Sequence, residues 1–146
     1  MVAYREHMLQ QAKQEVPIHG ALRLEQFLAG GNGLALVDFD AASVGDPLFD
    51  VAEFLTSLQY LQFSQGLSSE KIQRAFGLFK TSYQENVPWR LDRDHLAWYA
   101  VAFLLGKLHD TIKNLEVQAL AHLPEILQLM NTWLEQLEPR PATAVR

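Results

Sequence analysis

The 146-residue chain contains no cysteine, which excludes disulfide staples, thiolate metal sites and cysteine nucleophiles. It is also short of basic residues: 12 Lys and Arg stand against 17 Asp and Glu, for a formal charge of -5. Nucleic-acid binders carry a basic stripe, and anionic lipid attracts polybasic blocks; the chain offers neither. Long apolar runs are absent too. The longest, Leu96 to Gly106, falls well below the ~20 residues that a bilayer span requires. Met1 to Gln14 mixes Arg5, Glu6 and Lys13 into an amphipathic pattern, without the apolar core of a secretion signal. A cytoplasmic location is therefore expected, with neither nucleic acid nor membrane as partner.

What is present suits one ordinary globular domain: 49% of residues are hydrophobic and 20% charged. A chain of about 150 residues can bury roughly 68–70% of its unfolded surface, so a core is possible without staples. The domain is expected over residues 1–138. Residues 139–146 carry Pro139 and Pro141 and no apolar periodicity, which reads as a flexible tail.

Val2, Leu9 and Val16 share a helical stripe, with Met8 and Ala12 beside it, and Pro17 should stop that first helix near Glu15. The apolar runs Gln26 to Ala29 and Leu34 to Phe39 flank Gly30-Gly31-Asn32-Gly33, a connector that accepts positive φ and predicts a β-hairpin. Asp46-Pro47 then opens a helix, since Asp is a preferred N-cap and Pro suits the first helical position. Leu48, Val51, Ala52, Leu55 and Leu58 form one face of it, and Phe49 and Phe54 extend that face, so this helix should be buried on most sides. After a break at Gln65-Gly66, Ser68-Ser69 caps a helix bearing Ile72, Ala75, Phe76, Phe79 and Tyr83, which ends at Asn86-Val87-Pro88. Leu96, Ala100, Phe103, Leu104, Leu108 and Ile112 make the stripe of a central helix, with Trp98, Val101 and Leu105 on its far side. The last pattern runs Leu120, Leu123, Leu127, Met130, Leu134 and Leu137, restarted or kinked at Pro124. The expected fold class is α+β and mostly helical, a short β-hairpin followed by a helical bundle.

His7, His95, His109 and His122 sit in helical patterns without a second ligand at i+4. His95 and His109 fall near one face, but at about 1.5 Å per residue they lie roughly 21 Å apart, too far to share a metal. No Gly-x-Ser-x-Gly nucleophile elbow occurs. The informative stretch runs from His19 to Glu53. Asp38 and Asp40 end an apolar strand, where alternation sets both on one side of an extended chain. Carboxylates placed so beside a loop suit a hard cation such as Mg²⁺ that also holds phosphate oxygens. Asp46 and Asp50 stand at a helix N-terminus, where capping and the helix dipole already account for them.

The run Leu36-Val37-Asp38-Phe39-Asp40, then Gly45-Asp46-Pro47 and Asp50-Val51-Ala52, resembles the signature of the aminoglycoside phosphotransferase and choline kinase family, the protein-kinase-like small-molecule kinases. Its pattern is a His-Gly-Asp-x4-Asn catalytic loop, a hairpin, a strand ending in a metal-binding Asp, and a Gly-Asp-Pro-x2-Asp-Leu-Ala helix start. His19-Gly20 matches the loop's opening, Asp38 the metal-binding position, and Asp46 and Asp50 the structural aspartates of the helix start. The resemblance spans about residues 16–55. It implies a kinase-like C-terminal lobe, with Mg²⁺ and ATP as cofactors and Asp38 and Gln26 toward metal and nucleotide. Asp38 is then expected partly buried at the mouth of a cleft, next to His19 and Gln26.

The departures carry equal weight. Ala21 stands where the pattern has its catalytic-base Asp, and Gln26 where it has the metal-holding Asn. A methyl group cannot accept a proton from an attacking hydroxyl, and losing that carboxylate should cost phosphoryl transfer several orders of magnitude. Gln26 keeps an amide oxygen on a longer arm, while neighbouring Glu25 should point elsewhere. Nothing before Val16 offers the Gly-rich turn or strand lysine of the family's N-lobe; Lys13 falls in the expected helix. The expected function is a degenerate phosphotransferase lobe, inactive alone and acting in binding or within a larger protein. The alternatives are a small-molecule kinase, transferring the ATP γ-phosphate to a hydroxyl once an N-lobe is supplied, and a helical interaction domain built on the leucine-rich last helix. Self-association or an N-lobe would cover the apolar face. Glu85, Asp92, Asp94 and Asp110 are candidates to face a cationic acceptor, and Trp89, Trp98 and Tyr99 to cage a quaternary ammonium, against the plainer readings of solvated charge and core packing.

Overall fold

The computed structural model describes residues 14–31 and 33–137. The expected first helix, apart from Gln14 and Glu15, and the tail from residue 139 lie outside the described residues.

Four short strands precede the helices: β1 (Val16–Ile18), β2 (Phe27–Gly30), β3 (Gly33–Leu36) and β4 (Ser43–Gly45), with a single 3-10 turn at Leu24–Gln26. Strands β2 and β3 form the expected hairpin, pairing Phe27 with Leu36 and Gly30 with Gly33. Gly33 takes φ +128, a conformation open to glycine. The second pair was not foreseen. Strands β1 and β4 are antiparallel, with Val16 opposite Gly45 and Ile18 opposite Ser43. Pro17, which lacks an N–H, is tolerated because each strand of this pair has a free edge.

Helix α1 (Pro47–Ser64) starts where Asp46-Pro47 placed it, with the Asp46 carboxylate accepting from Leu48 N–H at 3.0 Å. It is buried nearly all round, polar Thr56 included; that hydroxyl donates back to Ala52 O at 2.8 Å. Helix α2 (Ser69–Asn86) is capped by Ser68 and fully buries only Ile72. Helix α3 (Arg93–Lys113) packs on α1 through Leu96, Ala97, Ala100, Val101 and Leu104, where two alanines let the backbones approach closely. Helices α4 (Val117–Leu120) and α5 (Leu123–Leu134) close the bundle, and Pro124 lies in the first turn of α5. Phe54 ties hairpin to bundle, meeting Phe27 edge-on at 5.5 Å and Phe79 at 4.4 Å.

Two stripes differ from expectation. Ile112 is 53% exposed, while the neighbouring Thr111 is buried and bonds the Tyr60 hydroxyl of α1, so the face turned to α1 here is that of Thr111. In α5 the buried seam is Ile126, Met130 and Trp133, while Leu127 is 44% exposed. The turn at Ala121-His122 resets the helical phase, so the stepping that began at Leu120 does not carry through.

Candidate functional site

Strand β1 delivers the chain to a tight turn at His19-Gly20. Gly20 has φ +80, and a Cβ there would stand 2.2 Å from Ala41 O. Only glycine lets this turn lie against the 37–42 loop, which the β1–β4 pairing holds alongside. Asp50, on the first turn of α1, clamps the turn by accepting His19 N–H at 2.6 Å and Gly20 N–H at 2.9 Å. It therefore does more than complement the helix dipole.

His19 is buried, and its Nε2 lies 2.9 Å from Val37 O. A carbonyl only accepts, so Nε2 carries a proton, and Nδ1 is buried with no hydrogen-bond partner among the described residues. The ring also packs on Phe39, with centroids 4.8 Å apart. His19 thus fixes both neighbours of Asp38.

Asp38 adopts φ +68, so the chain is not extended there and the alternation argument fails. Ala42 N–H donates to Phe39 O at 2.9 Å, closing a turn that contains Asp40. The two carboxylates do not share the side of a strand. Asp38 is also exposed rather than partly buried, since nothing among the described residues packs over it.

Gln26 reaches Asp38 as expected, but with the wrong end for a metal. It is 3% exposed, and its backbone carbonyl accepts from Val37 N–H at 3.1 Å. Its Oε1 accepts from Arg23 N–H, and its Nε2 donates to Asp38 Oδ2 at 3.5 Å. The two neighbours fix this orientation: a backbone N–H needs an oxygen, and a carboxylate needs a donor. Mg²⁺ demands oxygen ligands. Here one position offers the Asp38 carboxylate and the other a pair of N–H groups. No cluster of three His, Asp or Glu side chains among the described residues could hold a metal. The donor set as it stands does not fit Mg²⁺. Ala21, half-buried at the base position, adds only a methyl, and Glu25 is exposed on the 3-10 turn.

Asp46 joins the bundle to this region. Besides capping α1, it accepts from the Tyr99 hydroxyl at 3.2 Å, and Phe49 packs edge-on between Tyr99 at 5.6 Å and Phe103 at 4.9 Å. Burial, reinforced by the Asp46 charge, pushes the Tyr99 hydroxyl up to about 12. Sequence reasoning missed Glu53 and Lys107, a half-buried pair on α1 and α3. Burial raises the Glu53 carboxyl, partly offset by Arg23 and Lys107, and burial lowers the Lys107 ammonium. Glu53 Oε2 is buried without a hydrogen bond among the described residues, and the Lys107 ammonium lies 5.6 Å from the Tyr60 ring centre. One glutamate in an apolar helix gives no signal of such a pair, because its partner is 54 positions away.

The candidate acceptor residues are spread along the helices. Glu85, Asp94 and Asp110 are exposed, and Asp92 caps α3 through His95 N–H at 2.9 Å. The Trp89 indole N–H donates to Tyr83 Oη at 3.2 Å, so Trp89 and Tyr99 are engaged with different aromatic partners. Leu24, Leu28, Leu34, Phe39 and Val44 are apolar side chains on and around the hairpin, between 42% and 67% exposed, with Leu28 and Leu34 on opposite faces of it. No helix among the described residues is long and apolar enough to cross a membrane.

A family model described as the phosphotransferase enzyme family matches residues 2–77. No curated protein and no solved structure matches the chain.

Proposed function

The chain belongs to the phosphotransferase enzyme family, and from that membership we propose that it is a degenerate C-terminal lobe, inactive alone in phosphoryl transfer and acting through binding or within a larger protein. The observation that carries this reading is Gln26. Its carboxamide oxygen is held by Arg23 N–H and its Nε2 lies 3.5 Å from Asp38 Oδ2, so the amide turns N–H groups and not oxygen toward the carboxylate. Ala21 supports the same reading, since a positioned general base contributes ~10²–10⁴-fold and a methyl supplies none of it. The family uses ATP and a metal in general, and in this chain the groups nearest that role are Asp38 and Gln26. The exposed apolar side chains around the hairpin are, in this reading, where an N-lobe or a second copy docks.

One observation favours the alternative, a small-molecule kinase completed by an N-lobe. Asp38 holds a left-handed conformation that costs a non-glycine residue about 1–2 kcal/mol, and such strain clusters at working sites. Melting curves with and without Mg²⁺-ATP separate the two. The degenerate lobe shows no Mg²⁺-dependent shift, and the Ala21→Asp, Gln26→Asn double variant gains one. A Mg²⁺-dependent shift in the unaltered chain, removed by Asp38→Ala, overturns the proposal in favour of the kinase.

A further inference from the structure

A cavity opens among α1, α2, α3 and α5, away from the His19–Asp38 network. Gln59, in its wall, stands roughly 20 Å along α1 from Asp46 at about 1.5 Å per residue. The cavity holds about 350 Å³, within the ~300–1,000 Å³ range of small-molecule pockets. Phe76 and Trp133 form an aromatic floor, their rings 6.3 Å apart, and Leu96 and Leu129 complete the apolar part.

Among the polar groups of the lining, Gln59, Lys80 and Arg93 supply donors, while Gln73, Thr132 and Gln136 can accept as well. Gln59 is only 8% exposed, and its Oε1 accepts from the Trp133 indole N–H at 3.2 Å. An indole N–H can only donate, so this bond fixes the amide and leaves the two Nε2 hydrogens without a protein partner among the described residues. Arg93 donates through Nε to Gln136 Oε1 at 3.0 Å, which steadies the guanidinium and leaves its terminal N–H groups available. The Lys80 ammonium sits 5.5 Å from the centre of the Phe76 ring. Neither cation has a carboxylate within ion-pair distance among the described residues. Of the nearby acids, Asp92 caps α3, Asp94 is exposed on its first turn, and Glu85 lines an adjoining open hollow that shares Lys80 and Leu91 with the cavity.

A buried amide donor, a steadied guanidinium and an ammonium around an aromatic floor call for an acceptor head on an apolar body. We propose that this cavity binds a small organic carboxylate whose ring or short chain lies on Phe76 and Trp133. The planar guanidinium fork matches a carboxylate in two-point contact, and Lys80 adds a point charge. This site is independent of the catalytic-loop positions, so it stands whether or not the lobe transfers phosphate.

The test uses the full chain and 3-phenylpropanoate, followed by NMR at the Trp133 indole N–H, with 3-phenylpropan-1-ol as the uncharged control. The acid is expected to give a saturable shift and to bind at least about tenfold tighter than the alcohol, as a charge-assisted contact implies. Arg93 is exposed, so Arg93→Gln should fold normally and weaken the acid by about tenfold or more while leaving the alcohol unchanged. Gln59→Glu keeps the acceptor for the indole, replaces the donor with a like charge, and should abolish acid binding. No response at Trp133, equal affinity for acid and alcohol, or unchanged acid binding in Arg93→Gln would each overturn the proposal.

Discussion

Replacing Asp50 tests how the His19-Gly20 turn is held. Its carboxylate accepts two backbone N–H groups at 2.6 and 2.9 Å, and these donors belong to a turn that has no strand or helix to satisfy them. A hydrogen bond to a charged acceptor is worth ~1.5–3 kcal/mol, which bounds the pair at roughly 3–6 kcal/mol. Asp50 and Gly20 are only half-buried, so water recovers part of that on truncation. Asp50→Ala should therefore destabilise by about 2–4 kcal/mol. Asp50→Asn keeps one acceptor and turns an N–H2 group toward the other donor, so its cost falls between the parent and Asp50→Ala. Urea unfolding at neutral pH measures both, with an unchanged slope as the sign that only stability has moved. Amide exchange at His19 and Gly20 should accelerate in the same variant. A loss under ~0.5 kcal/mol at unchanged slope would be that of an ordinary surface substitution, and would refute the clamp.

Gly20→Ala combines a φ of +80 with a Cβ 2.2 Å from a backbone oxygen, so the 37–42 loop must move. It should cost more than the ~1–2 kcal/mol of a left-handed conformation alone. At the end of α3, Glu116 N–H bonds to Thr111 O and Leu115 N–H to Ile112 O, a Schellman closure whose left-handed position holds Leu115 at φ +52 and 72% exposed. Leu115→Gly should stabilise the chain by about 1 kcal/mol, read as a higher urea midpoint at unchanged slope. Tyr99 carries a pH signature. Its folded-state hydroxyl is raised from the usual 10.0 to about 12, so the stability it contributes is full below pH 10 and is lost as pH climbs toward 12. Tyr99→Phe should flatten the fall of the urea midpoint in that window.

Much of the architecture was legible because its signals are local. Asp46-Pro47 and Ser68 are caps, the Gly30-to-Gly33 connector demands a turn, and Pro124 restarts a helix, each within a few residues of the structure it dictates. The β1–β4 pairing was not legible. It joins three-residue strands across 24 intervening residues, and one of them contains a proline. At the site, the neighbourhood of His19, Gln26 and Asp38 followed from the motif. The left-handed Asp38 did not, because it arises where His19 pins Val37 and Phe39 on either side. The direction of the Gln26 amide was equally hidden, since it depends on which backbone N–H the side chain meets.

With N–H groups and not oxygen turned toward Asp38, Gln26 adds no ligand for a divalent cation. Mn²⁺, a paramagnetic substitute for Mg²⁺, reports this most directly when added with ATP to the isotopically labelled chain. A Gln26 amide turned this way predicts no selective broadening at the amides of residues 26 and 37–39. Selective broadening there, removed by Asp38→Ala, would show a working metal site and contradict it.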